Sequence, residues 1–119
     1  MTRAGWKKKI TEATKAAGTY REFFEPVIAT LSDILEKRDA AEKLYKESGS
    51  KAIVKHTNKS GATNLEQNPA LRLINDLNRD ALAYWKELGL TPAGLKKIDD
   101  KALAVKKRNA LAEALKDIG

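Results

Sequence analysis

The sequence predicts a mainly α-helical protein built on a long antiparallel helical hairpin, with a small β-hairpin at its tip and short helices flanking it at both ends. Three observations carry this prediction. Two stretches, 27–45 and 70–88, hold apolar residues at helical spacing over similar lengths. The segment between them, 50–67, loses that periodicity and gains β-branched residues and a turn cluster. Helix start and stop signals bracket each helical stretch.

The chain opens on a short helix, 5–17, with Trp6, Ile10, Ala13 and Ala17 on one face and Lys7, Lys8, Lys9 and Lys15 on the others. Gly18 ends it. Thr19-Tyr20-Arg21-Glu22 matches a capping box, in which the threonine oxygen takes one backbone N–H and the glutamate returns to the threonine's own. A second helix is therefore expected from near Tyr20 to about Glu47, with Ser48-Gly49 as its stop. Pro26 removes a helical hydrogen bond, so a kink or a fresh start is expected between Phe24 and Pro26. Val27, Leu31, Ile34, Ala41 and Tyr45 form its seam, with Arg38 at the heptad position between Ile34 and Ala41.

Residues 50–67 carry Ile53, Val54, Thr57 and Thr63 around the turn cluster Asn58-Lys59-Ser60-Gly61, which reads as a β-hairpin over about 51–66. An isolated two-stranded hairpin is marginal in water, so disorder in the free subunit, or ordering by a neighbour, stays open. Asn68 can cap the next helix and Pro69 suits its first position. Ala70, Ile74, Leu77, Ala81, Tyr84 and Leu88 then line one side of that helix. At about 1.5 Å per residue each seam spans roughly 27 Å, so the two stretches can pair. Leu88-Gly89 ends the helix and Thr91-Pro92 opens a short one to about Ile98. Asp99-Asp100 is read as the cap of a final helix reaching Lys116, with Leu111, Leu115 and Ile118 as a narrow stripe. This divides the chain into a basic N-terminal helix (1–18), a central oligomerisation domain (19–98) and a basic C-terminal helix (99–119).

The 119 residues carry a net charge of +7, and the excess sits at the ends. Residues 1–20 are net +4 and residues 96–119 net +3, whereas residues 21–50 are net −2. Phosphate contacts favour such clustering, although charge alone leaves nucleic-acid contact open. If DNA is bound, the candidates are Lys7, Lys8, Lys9 and Lys15 at one end and Lys106, Lys107 and Arg108 at the other. Catalytic chemistry has no constellation to work with. His56 is the only histidine, cysteine is absent, and neither GxxxxGK[ST] nor GxGxxG occurs. Neither catalytic residues nor metal ligands nor cofactors are expected. No apolar run reaches the roughly 20 residues of a membrane span, so a cytoplasmic protein with no membrane contact is expected. Arg72, Arg79 and Lys86 recur every seven residues on the flank of the 70–88 helix, and with Trp85 they are candidate subunit contacts.

Taken in order, an AGTY helix start, an ESG helix end, Gly61 in GATN, Asn68-Pro69 in NPAL, and Leu88-Gly89-Leu90-Thr91-Pro92 in KELGLTPAGLKKI resemble the phage terminase small subunit family over about residues 18–98. The resemblance implies a non-enzymatic DNA-packaging component. Its partners would be further copies of itself in a ring, double-stranded viral DNA, and the large subunit that holds the ATPase and nuclease. Its place would be the cytoplasm of an infected or lysogenic bacterium. The alternative is a small helical interaction or regulatory protein without DNA binding. Ile74→Asp or Leu77→Asp is expected to unfold the hairpin by burying an unpaired charge.

Overall fold

Helices α2 (Glu25–Glu47) and α3 (Pro69–Glu87) pack antiparallel as the expected hairpin in the computed structural model, which describes residues 1–118. Before them come α1 (Arg3–Ala16) and a 3-10 turn (Glu22–Phe24); between them lie strands β1 (Ile53–Thr57) and β2 (Thr63–Gln67); after them comes α4 (Pro92–Ile118). The molecule measures 85 × 26 × 20 Å, with a radius of gyration of 22.1 Å. A compact chain of this length would have a radius near 14 Å. The protein is therefore a rod, with the β-hairpin at one end and α4 leaving from the other.

Helix α1 starts where Thr2 accepts a hydrogen bond from the Gly5 N–H (3.1 Å) and buries Ile10 and Thr14. It packs along α2 in the opposite sense: Arg3 lies beside Asp33 (3.5 Å) and Lys7 reaches Glu25 (3.2 Å). The capping box expected at Thr19 does not form. Thr19 is buried with its hydroxyl turned to donate to the Leu88 carbonyl (2.8 Å), and its own N–H, which Glu22 would have to reach, is held by the Thr14 carbonyl (2.9 Å). The second long helix begins later, at Glu25, with Pro26 in its first turn after the 3-10 turn. Proline sets that start, since a first-turn residue needs no N–H partner.

The core is Ile10, Ile28, Leu31, Leu35, Ala81 and Leu88, flanked by half-buried Trp6, Tyr20, Phe24, Tyr84 and Trp85. Each fully buried aliphatic side chain contributes about 1.5–3 kcal/mol. On α3 the buried positions Ile74 and Ala81, with Leu88 just past the helix end, fall on the expected seam. On α2 the seam is broader than expected: Ile28 and Leu35 are fully buried, whereas Val27, Ile34 and Tyr45 are only half-buried. The cause is α1, which covers a second side of α2. Ser32 lies buried between the two, its hydroxyl donating to the Ile28 carbonyl (2.7 Å).

Three helices end alike. Gly18, Gly49 and Gly89 take positive φ, and the next residue's N–H bonds back to the carbonyl five residues earlier: Thr19 to Thr14 (2.9 Å), Ser50 to Tyr45 (3.0 Å) and Leu90 to Trp85 (2.9 Å). Asn68 is the corresponding device at the hairpin base. Its side-chain oxygen accepts from the Ala70 N–H (3.0 Å), while its amide nitrogen donates to the Lys51 carbonyl (2.8 Å) and to Ser48 Oγ (2.9 Å). One residue thus caps α3 and ties it to the end of α2. Asn68→Ala is expected to cost about 2–3 kcal/mol, combining a lost cap with an abandoned carbonyl. Asn68→Asp keeps the cap but sets a carboxylate oxygen against the Lys51 carbonyl that the amide nitrogen now bonds, so it too is expected to be destabilised; urea melts of the two variants check this.

The β-hairpin pairs Ile53 with Gln67 through Thr57 with Thr63. Asn58 organises its turn, its side-chain oxygen accepting from the N–H groups of Ser60 and Ala62 (both 3.1 Å). The face that carries Ile53 and Leu65 is uncovered, with these side chains 60% and 71% exposed, whereas Val54 on the other face is half-buried. In α4 the expected break at Asp99-Asp100 is absent, and the two anticipated helices are one of 27 residues. No glycine or proline follows Gly94 before Gly119, and the alanine, leucine and lysine content of 101–116 favours continuation over a stop. Thr91 caps α4 as expected, accepting from the Gly94 N–H (3.0 Å).

Candidate interaction surfaces

The N-terminal cations are partly occupied by their own fold. Lys7 pairs with Glu25; Lys9 lies 5.5 Å from the Trp6 ring centre and Lys15 5.0 Å from that of Tyr20. Lys8 is exposed and forms no ion pair among the described residues. Lys7, Lys8 and Lys15 share a shallow face with Glu12 among them, and Lys9 lies apart over Trp6.

Behind this face, α1 is pinned to α2 by a cluster that the sequence did not reveal. Trp6 Nε1 donates to Asp39 Oδ2 (2.7 Å), the N-terminal ammonium donates to the same oxygen (3.1 Å), and Arg38 Nη2 donates to Oδ1 (3.1 Å). Arg38 also stacks 5.4 Å from the Trp6 ring centre, so the heptad position between Ile34 and Ala41 belongs to a three-way junction. Burial alone would raise the Asp39 carboxyl, but the hydrogen bonds from Trp6, the N-terminus and Arg38 outweigh it and hold the group below its ordinary value. A carboxylate lowered on folding stabilises the fold above its unfolded pKa, and that contribution disappears as pH falls through the folded value. In a Trp85→Phe background, Trp6 emission is therefore expected to stay constant through the ordinary carboxylate range and to shift red only below it. Asp39→Asn should show the shifted emission already at neutral pH.

Along α3, Arg72, Arg79 and Lys86 are all exposed, and Arg79 lies 3.7 Å from Asp76 on its own helix. Trp85 is half-buried against the core, which leaves it only partly available to a neighbour. Leu44, Leu73 and Leu82 are exposed on the two long helices, at 57%, 46% and 59%. Sequence reasoning had passed over them because they lie off the seams. Lys106, Lys107 and Arg108 project from the part of α4 that packs on nothing, where Leu103, Leu111 and Leu115 are also exposed. Since α1 packs on α2 and α4 on α3, the two cationic clusters belong to different helices with different neighbours.

At the corner where α3 turns into α4, a cleft of about 290 Å³ opens between that turn and the 3-10 segment. Phe24, Gly94 and Ile98 lie at its base, and Arg21, Lys86, Lys97 and Lys101 line it together with Glu87. Among the described residues no group of three histidine, cysteine or acidic side chains could hold a metal ion, and no helix is long and apolar enough to cross a membrane. His56 stands exposed on β1, its Nδ1 3.8 Å from Glu66.

Charged helix flanks, uncovered leucines and a cationic corner are the exposed features of this thin helical chain. Residues 2–115 match the protein family described as "Phage terminase, small subunit". The chain belongs to that family, and its role lies in phage genome packaging. No curated protein and no solved structure matches it.

Proposed function

We propose that the chain is the DNA-associated adaptor of a phage or prophage packaging motor. Copies assemble side by side into a homo-oligomeric ring, hold double-stranded viral DNA, and recruit and regulate the large ATPase–nuclease subunit in the host cytoplasm. The adaptor itself performs no catalysis. The observation that carries this reading is the family match across nearly the whole chain. The exposed leucines of α2 and α3 support assembly, because their burial between neighbours would remove apolar surface that one hairpin cannot hide. Arg72, Arg79, Lys86 and the partly available Trp85 are the polar and aromatic contacts proposed for the same interface. For DNA, Lys106, Lys107, Arg108 and Lys8 are the leading contacts, ahead of Lys7, Lys9 and Lys15, which already have partners.

Native mass measurement at micromolar concentration tests the assembly: a discrete species of many subunits is expected, and a monodisperse monomer of 13.1 kDa overturns it. Binding to duplex DNA should fall steeply between about 50 and 200 mM salt if several phosphates are contacted. Absence of binding at low salt removes the DNA half of the reading and leaves a protein-only adaptor.

A further inference from the structure

The corner cleft collects four cations, of which Lys86 alone also stands among the contacts proposed between copies. Arg21 comes from the segment before α2, Lys86 from the last turn of α3, and Lys97 and Lys101 from the early turns of α4. None of the four is in an ion pair among the described residues, and Glu87 is the single carboxylate beside them. Arg21 Nη1 donates to the Tyr20 carbonyl (2.7 Å), which fixes the guanidinium near the chain. On the rim, Phe23 is 74% exposed and meets Phe24 edge to face, with ring centres 4.9 Å apart. An exposed phenylalanine beside a cationic hollow has no task in the packing of this chain. As the bound partner of an apolar side chain it would remove its ring from water.

We propose that this cleft is a docking site for an acidic peptide segment carrying one bulky apolar side chain, supplied by another component of the packaging machinery. Charge complementarity argues for acidity: four cations face one carboxylate. Shape and base chemistry argue for a peptide over a nucleic acid. The cleft is near the lower limit of small-ligand pockets and has room for one large side chain with its flanking backbone. A DNA duplex presents a convex phosphate surface with no apolar group to place against Phe24 and Ile98. This inference rests on the partner-recruiting part of the packaging reading and gives it an address. It also assigns Lys86 to partner docking instead of to the contact between copies.

The test is fluorescence polarisation with the full chain and a fluorescein-labelled peptide in which aspartate and glutamate flank a central phenylalanine. The same peptide with a central glycine and a short labelled duplex DNA serve as comparisons. Binding of the phenylalanine peptide is expected, with at least about tenfold weakening by the Lys97→Glu/Lys101→Glu pair, by Phe23→Ala, and by glycine at the peptide centre. Circular dichroism should be unchanged, since all three substituted side chains are exposed. The inference is overturned if the peptide does not bind, if both variants bind it as well as the parent, or if the glycine peptide binds equally. It is equally overturned if only the duplex depends on these residues, which would make the cleft a phosphate surface. A native mass measurement of the same lysine variant keeps the two readings apart: lost peptide binding with assembly intact concerns the cleft, and absence of assembly in the parent concerns the ring.

Discussion

Gly94→Ala is expected to detach α4 from α3 and to lower the melting temperature by about 10 °C. A Cβ at position 94 would collide with the Lys86 carbonyl oxygen and stand 3.0 Å from its carbon. The obstacle is backbone, so it cannot swing aside as a side chain would. Overpacking typically costs about 1–3 kcal/mol, and a main-chain obstacle puts this site at the upper end. The displacement would also strain the Thr91 cap, whose hydroxyl lies 3.0 Å from the same added atom. Differential scanning calorimetry of the variant reads the effect. An unchanged transition would mean that the two helices do not cross this closely in solution.

Leu31→Asp is expected to have the largest effect of any single substitution on the hairpin. Leu31 is fully buried among Ile28, Leu35, Ala81 and Leu88, at the point where α1, α2 and α3 meet. An aspartate there loses the leucine's burial and must either remain charged without a partner or take up a proton in an apolar core. The combined cost exceeds about 4 kcal/mol, comparable with the whole stability of a small domain. Far-ultraviolet circular dichroism should show loss of most helical signal at 25 °C, a standard reference temperature. Arg79→Ala is the control: its side chain is 77% exposed, so its pairing with Asp76 is screened by solvent and the change should stay within about 0.5 kcal/mol. Ile74 is 5% exposed and Leu77 half-buried, so of the two seam substitutions foreseen from sequence, Ile74→Asp should be the more severe.

What could be read in advance was chemistry that acts within a few residues. Asn68-Pro69, Leu88-Gly89 and Thr91-Pro92 punctuate the helices as expected because capping depends on neighbours in the chain. The start at Tyr20 failed because Thr19 is claimed by a carbonyl 69 residues away, and no local pattern records that claim. The division at Asp99-Asp100 failed for the opposite reason: an N-cap residue was present, but nothing before it stopped the preceding helix. The α2 seam was half-legible, since periodicity locates a face but not the number of helices covering it. Among the site residues, exposure of Arg72, Arg79 and Lys86 followed from their spacing. The pairing of Lys7 with Glu25, the Trp6–Asp39–Arg38 junction and the convergence of four cations at the corner all depend on tertiary contact, so single-element patterns could not reveal them.

The unbroken α4 has a mechanical consequence. It is gripped only through its opening turns, around the Gly94 crossing and Ile98, and the rest of the helix extends beyond the body. At about 1.5 Å per residue the part of the helix beyond Ile98 is roughly 30 Å long, so a tilt of ten degrees at the grip sweeps its far end through about 5 Å. The corner cleft sits at the fulcrum. A guest wedged there against Lys97 and Ile98 would steer the cations Lys106, Lys107 and Arg108, roughly 12–15 Å further along the helix, without touching them, converting occupancy at the fulcrum into displacement along the lever.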